Sequence, residues 1–279
     1  MNKRCKMNKL VVVLGLWIFA ASSFAQVRAD IEVSYTASVP NLKTGRVKGN
    51  QYVLVANATD SKFYSPMTEY IDSLESTPEG EAIYKDIMRG AFASGKLDKA
   101  PRRDGSYYVL KSTADNFIKT YDVNGLDKYV MEESMPDYDW QLADSTRNIL
   151  GYECQMATTV FNGREWTVWF TPEIPVTNGP WKLGGLPGLI LEAAEPTGLY
   201  NFVATGLKQT SREIKPVYSS ESYTKIDRKE YLKIKRKMID NTVSQMNAQL
   251  SGLGISISAA PNSAKNKSRK EIDSIETDY

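Results

Sequence analysis

The chain contains no histidine, and that removes more chemistry than any motif in it supplies. Ser-His-Asp and Cys-His nucleophile pairs, His-ligated zinc and a histidine general base are all excluded within one chain. Carboxylates, lysines and tyrosines remain. The tightest acidic groupings are Glu132-Glu133 and Asp137-Tyr138-Asp139. Paired carboxylates can hold a cation or divide acid and base roles, but the alternating oxygen ligands, glycine and closing Glu of an EF-hand loop are absent, and a solvated loop explains the pattern as well. Cys154, between Tyr152 and Met156, reads as a small buried side chain, since no thiolate-stabilising environment is evident around it.

Binding chemistry is better represented. Met156, Trp166, Trp169, Phe170 and Trp181 are the candidate ligand-binding residues, because aromatic side chains offer large contact area at low entropic cost. A packed core is the commoner place for such residues at strand spacing. Lys225, Arg228, Lys229, Lys233, Lys235, Arg236 and Lys237 form a basic cluster that could meet anionic headgroups or be a solvated helix face.

The elements that must position these residues are mostly strands. Ile31, Val33, Tyr35, Ala37 and Val39 alternate with polar residues up to Pro40, the pattern of a half-buried strand. Residues 51–56, 107–111, 117–123, 128–131 and 199–204 predict further strands. Between them, residues 81–92 place Ile83, Ile87 and Ala91 at helical spacing. Asn162-Gly163 is the preferred two-residue hairpin loop, and it predicts a hairpin over 152–171 with Phe161 opposite Arg164 and Met156 opposite Trp169. Both faces of that hairpin are apolar, so the sheet is covered on both sides or forms a half-barrel with a lined concave side. Asp227 and Glu230 give a capping-box-like start to a last helix, with Leu232, Ile239, Val243, Met246 and Leu250 on one stripe. The expected fold is therefore mainly β within α+β: a curved antiparallel sheet or incomplete β-barrel with an inserted helix and a C-terminal helix.

Composition sets the compartment expected. Residues 1–25 combine Lys3, Arg4, Lys6 and Lys9 with the apolar run 10–20 and Ser23-Phe24-Ala25, the layout of a secretory signal cleaved after Ala25. Lys and Arg number 35 against 33 Asp and Glu, a balance of +2. The leader holds four of the positive charges and none of the negative ones, so 31 minus 33, or −2, remains. A near-neutral chain argues against nucleic acid as a partner. Cys154 would be the one cysteine left, and no disulfide staple is then available. Residues 26–259 read as a single β-rich domain and 260–279 as a flexible polar tail. No cofactor, metal or transmembrane helix is expected in the mature chain.

The run Gly184-Gly185-Leu186-Pro187-Gly188-Leu189-Ile190, after Asn178-Gly179-Pro180-Trp181, strings turn residues and large apolar residues together. Pro187 and Gly188 suit the two central positions of a type II turn. Gly185, Leu186, Pro187, Gly188, Leu189 and Ile190 match the hexapeptide of the GLPGLI family, exported proteins of Bacteroidetes-type bacteria. Ser61-Lys62-Phe63-Tyr64-Ser65, residues 149–157 and residues 161–175 also resemble that family's segments in order. The resemblance implies an exported, periplasmic or outer-membrane-associated protein without an established activity. With no catalytic motif in view, the chain reads as a non-enzymatic carrier for an apolar ligand or peptide segment. An assembly accessory with an outer-membrane protein partner is the alternative, and a histidine-independent enzyme stands behind both.

Overall fold

The computed structural model describes residues 26–40, 47–96, 100–103, 105, 107–124, 126–237 and 274–278. In chain order its first strands are β1 (Ile31–Pro40), β2 (Val47–Ala56) and β3 (Asp60–Tyr64). Helices α1 (Pro66–Glu75) and α2 (Pro78–Ala93) follow, then β4 (Tyr108–Ser112), β5 (Phe117–Asn124) and β6 (Asp127–Glu133). The second half holds β7 (Gln141–Ile149), β8 (Tyr152–Phe161), β9 (Arg164–Thr171), β10 (Leu189–Ala194), β11 (Asn201–Gln209) and the short β12 (Thr224–Lys225). Residues 228–237 are helical and are called α3.

All twelve strands belong to one sheet, in the order β12-β6-β5-β4-β3-β2-β1-β11-β10-β9-β8-β7. Neighbours are antiparallel except β12, which runs parallel to β6, so the expected antiparallel sheet is a mixed one. It ends at β7 and β12 and does not close. Curvature is visible in the side chains. Three strand spacings, about 14 Å, separate β3 from β11 along the sheet, yet the Phe63 and Phe202 rings lie 5.9 Å apart. Register shifts at Ser34/Tyr35, Ile190/Glu192 and Leu142/Thr146 supply bends of the kind β-bulges produce.

The inner face is read directly from alternation. Ile31, Val33, Tyr35 and Ala37 are buried while their neighbours are partly exposed. Tyr52, Leu54, Phe63, Val109, Trp166, Val168, Phe170, Leu191 and Phe202 join them in one cluster. Residues 172–188, the connection from β9 to β10, enter the concave side and add Ile174, Val176, Trp181, Leu183 and Leu186 to that cluster. Trp181 lies 5.5 Å from Trp166 between ring centroids. This connection is a plug, and it occupies the space that a carried apolar ligand would need.

Lys111 of β4 fastens the plug. Its Nζ donates to the carbonyls of Gly179 at 2.9 Å and Leu183 at 2.8 Å. Burial drives its ammonium down from an ordinary 10.5 to about 7. The unfolded lysine keeps its proton across that interval and the folded one does not, so unfolding takes up a proton and stability rises with pH between about 7 and 10.5. We expect urea-unfolding free energy to rise by up to about 2–3 kcal/mol between pH 7 and 9. Lys111→Met should remove most of this rise, leaving the part due to Lys62, which burial also lowers against the pull of Glu69. An undiminished rise in Lys111→Met would contradict the assignment.

The outer face carries a smaller cluster of Ala29, Val53, Val55, Tyr64, Tyr108 and Val217. The single inserted helix expected is a pair. In α1, Ser65 caps the N-terminus by accepting from Thr68 N at 3.3 Å, Pro66 begins the first turn and Ile71 is buried. Thr77 caps α2, but Ile83 and Phe92 on that helix are exposed. Helix α3 starts as expected at Asp227, whose Oδ1 accepts from the N–H groups of Lys229 and Glu230. Ile239, Val243, Met246 and Leu250 lie outside the described residues. No helix among the described residues is long and apolar enough to cross a membrane.

Candidate functional site

The hairpin registers are those expected: Phe161 pairs with Arg164 and Met156 with Trp169. Asn162 and Gly163 both take positive φ, 50° and 80°, as a type I′ turn demands. The five aromatic and thioether candidates nevertheless do not meet around a cleft. Trp166, Phe170 and Trp181 are buried in the core against the plug. Trp169 alternates to the opposite face, where the Arg147 guanidinium lies 4.1 Å from its ring centroid. Met156 stands beside it, half-buried. Cys154 is buried, and burial pushes its thiol up, away from the thiolate.

The motif 185–190 is structural. Gly188 N donates to Leu186 O at 2.7 Å, a three-residue turn about Pro187, in place of the type II turn expected. Gly188 has φ +154° and abuts the Thr171 carbonyl. Leu186, Leu189 and Ile190 are buried. Of the acidic groupings, Glu132-Glu133 is ion-paired, Glu132 with Lys225 and Lys119 and Glu133 with Lys182 and Arg228, while Asp139 accepts from Gln141 Nε2 at 3.0 Å. Of the basic cluster, Arg228 and Lys235 turn inward, Lys235 onto Asp122 at 2.8 Å. Among the described residues no group of acidic or sulfur ligands could hold a metal.

What the fold does build is a cavity of about 380 Å³ on the outer face. Glu32 of β1, Val53 of β2 and Tyr64 of β3 form its floor; Pro66, Glu69, Tyr70 and Ser73 of α1 and the returning Arg212 and Tyr218 form its walls. Alternation places Glu32 opposite the core-facing Val33, and Lys62 and Tyr64 opposite Phe63. Glu32 accepts from Arg212 at 2.8 Å and pairs with Lys208 at 2.9 Å. Burial raises its carboxyl, and the bonds from Arg212 and Lys208 outweigh that and hold it below the usual range. Beneath the wall, Lys62 pairs with Glu69 at 2.6 Å and sits 5.0 Å from the Tyr64 ring. Asp72 of α1 accepts from the Tyr108 hydroxyl and pairs with Arg103 at 2.7 Å, which locks the helix onto β4.

The chemistry available is recognition of a polar, uncharged ligand with apolar C–H faces. Carboxylate oxygens keep lone pairs beyond their ion pairs, two of them in the case of Glu32, and accept from hydroxyl groups, the guanidinium donates, and tyrosine rings give flat contact surfaces. A general acid would need a raised carboxyl, and Glu32 is held the other way. A second cavity, about 470 Å³, lies between β11 and residues 173–176; its lining is mostly aliphatic, with Asp30 and Glu173 as its charged groups. It offers no cationic donor beside those acids. Sequence reasoning missed the outer cavity, because Glu32, Glu69 and Arg212 come from three distant segments and none sits in a recognisable spacing.

Comparison with known proteins corrects the family expectation. A family model described as N-glycanase peptide, N-terminal domain, matches residues 96–233. The solved structures that match include PNGF-II in a C2 space group, at 17% identity and a TM-score of 0.49, covering 77% of this chain and 33% of that one. PNGF-II in a P21 space group matches at 18% identity and a TM-score of 0.46, over 77% and 34%. The chain thus spans about a third of the length of the structures it matches. Nothing among the curated proteins matches. The assignment to the GLPGLI family, and with it the apolar carrier and its assembly-accessory alternative, is overturned by this match. In the structure the hexapeptide serves the packing of the plugged sheet, with Leu186, Leu189 and Ile190 buried in the core. The expectation of a non-enzymatic chain is qualified by the same match, since what residues 96–233 are similar to is described as the N-terminal domain of an N-glycanase.

Proposed function

We propose that this chain is an exported glycan-recognition domain serving an N-glycanase-type reaction, and that the outer cavity holds sugar units of an N-linked glycan. The match of residues 96–233 to the N-glycanase N-terminal domain model carries this reading. Support comes from the cavity's chemistry: Tyr64, Tyr70 and Tyr218 beside Glu32, Glu69 and Arg212 suit the alternating apolar and hydroxyl faces of a pyranose. The signal-like residues 1–25 support export. In this reading the chain binds and the amide-cleaving groups lie elsewhere.

Isothermal titration of residues 26–279 with N,N′-diacetylchitobiose, and with a complete free N-glycan, tests it. Binding in the micromolar to millimolar range is expected, and Tyr70→Ala and Arg212→Ala should each weaken it at least tenfold. Both side chains are exposed enough that folding should survive. Absence of binding at millimolar glycan would overturn the proposal; release of glycan from a glycopeptide by this chain alone would overturn its non-catalytic part.

A further inference from the structure

Residues 274–278 lie within the stretch read as a polar tail, yet they are set into the protein. Ser274, Ile275 and Glu276 are buried, with Ile275 in the main core cluster. Arg164 donates through Nη2 to Ser274 O at 2.6 Å and through Nε to Ile275 O at 3.2 Å. Thr277 N donates to Asn162 O and Thr277 Oγ1 to Gly163 O, both at 3.0 Å, so the hairpin turn holds the main chain and the hydroxyl of this residue. Gly163 permits this approach: a Cβ there would lie 2.4 Å from Thr277 Oγ1.

Side chains are read too. Glu276 pairs with Lys182 at 2.9 Å and Arg228 at 2.6 Å, and Asp278 takes both terminal nitrogens of Arg228 at 2.6 and 2.8 Å. Burial raises the Glu276 carboxyl, but Lys182 and Arg228 hold it below the usual range. The receiving cations are themselves largely buried, at 1% exposure for Lys182, 10% for Arg164 and 11% for Arg228. Without the segment Lys182 and Arg228 would share Glu133, and Arg164 would keep its ion pair with Glu195 at 3.4 Å.

An apolar pocket, main-chain hydrogen bonds and a fixed pattern of cations are what a peptide-recognition site consists of. We infer that the slot between the β8–β9 turn, Lys182 and Arg228 is such a site, that it selects an apolar residue followed by Glu, one further residue and Asp, and that residues 274–278 fill it as a separable ligand. Tethering raises the local concentration of the segment to roughly millimolar, so modest intrinsic affinity keeps the slot filled in cis.

The test uses the full chain with a protease recognition sequence placed between Pro261 and Lys270. After folding and cleavage, the terminal fragment should stay bound through gel filtration and exchange with a labelled acetyl-Ser-Ile-Glu-Thr-Asp-Tyr peptide. A peptide with Gln in place of the Glu should compete at least tenfold more weakly. If cleavage unfolds the protein, excess peptide should restore its circular dichroism. Loss of the fragment with no labelled-peptide binding at 1 mM (roughly the tethered concentration), failure of the peptide to restore a cleaved and unfolded protein, or equal competition by the Gln peptide would each overturn the inference.

Discussion

Replacing Gly188 with alanine should leave little folded protein. A Cβ at that position would stand 2.1 Å from Thr171 O, 2.6 Å from Thr171 C and 2.9 Å from Pro172 Cα. All three are backbone atoms at the end of β9, held by the ladder to β10, so no side chain can swing aside. Relief requires moving the plug, and the plug carries Trp181, Leu183 and Leu186 into the core. We expect a loss above about 4 kcal/mol, the range reserved for strain and overpacking that the fold cannot absorb. Two other glycines calibrate the effect. At Gly185 (φ +80°) the nearest atom to a Cβ is Tyr138 Cδ2 at 2.6 Å, which belongs to a side chain and can shift. At Gly151 (φ +91°) there is open space, leaving only the left-handed backbone cost of about 1–2 kcal/mol. Urea midpoints should therefore fall in the order Gly151→Ala, Gly185→Ala, Gly188→Ala, the last beyond measurement or nearly so. A Gly188→Ala midpoint near the wild-type value would mean that the plug is not anchored at β9.

That hierarchy also shows where the sequence is legible. Period-two patterning located β1, and Asn162-Gly163 fixed the β8–β9 register to the residue, because both depend on neighbours a few positions apart. The apolar residues on both faces of the hairpin predict a covered sheet or a lined concave side, and only the concave side is packed: Trp166, Val168 and Phe170 are buried there, while Val160 on the other face is 71% exposed and Trp169 half-buried. What covers the concave side was not legible: residues 172–188 mix Pro, Gly and apolar residues with Glu173, Thr177, Asn178 and Lys182 in no period, and Lys111 holds two of their carbonyls from β4. Edge strand β7 escaped for the opposite reason, since its residues are mostly exposed and show no alternation. Helix α1 has its Ser65-Pro66 cap but a single fully buried aliphatic residue, Ile71, too little for a stripe. The outer cavity is a product of topology. Glu32 and Arg212 meet only because β1 pairs with β11, a contact no local spacing encodes.

The same long-range logic makes Lys182→Met the second large effect expected. Lys182 and Arg228 each pair with both Glu133 and Glu276, forming a closed ring of four charges. The ring joins β6, the plug, the start of α3 and the terminal segment. Removing the lysine, 1% exposed, leaves Glu133 and Glu276 sharing with Asp278 the one guanidinium of Arg228 in a site with little water. Breaking a buried ion pair from one side costs about 3–5 kcal/mol, mostly through the charge left behind. The loss should shrink if that charge goes too, so Lys182→Met combined with Glu276→Gln should be more stable than the sum of the single losses predicts, by at least about 1 kcal/mol. Urea unfolding of the four proteins at pH 7 measures this coupling. Acid should act in the same direction on Lys182→Met: deprived of one of its two cations, Glu276 would protonate at higher pH than in the wild type, so the gap between the two proteins should narrow as the pH falls toward 4.5, the ordinary value for that carboxyl. Strict additivity and a pH-independent gap would show that the four groups act as separate surface-like pairs, and the cooperative tie between plug and terminus would have to be sought in Arg164 instead.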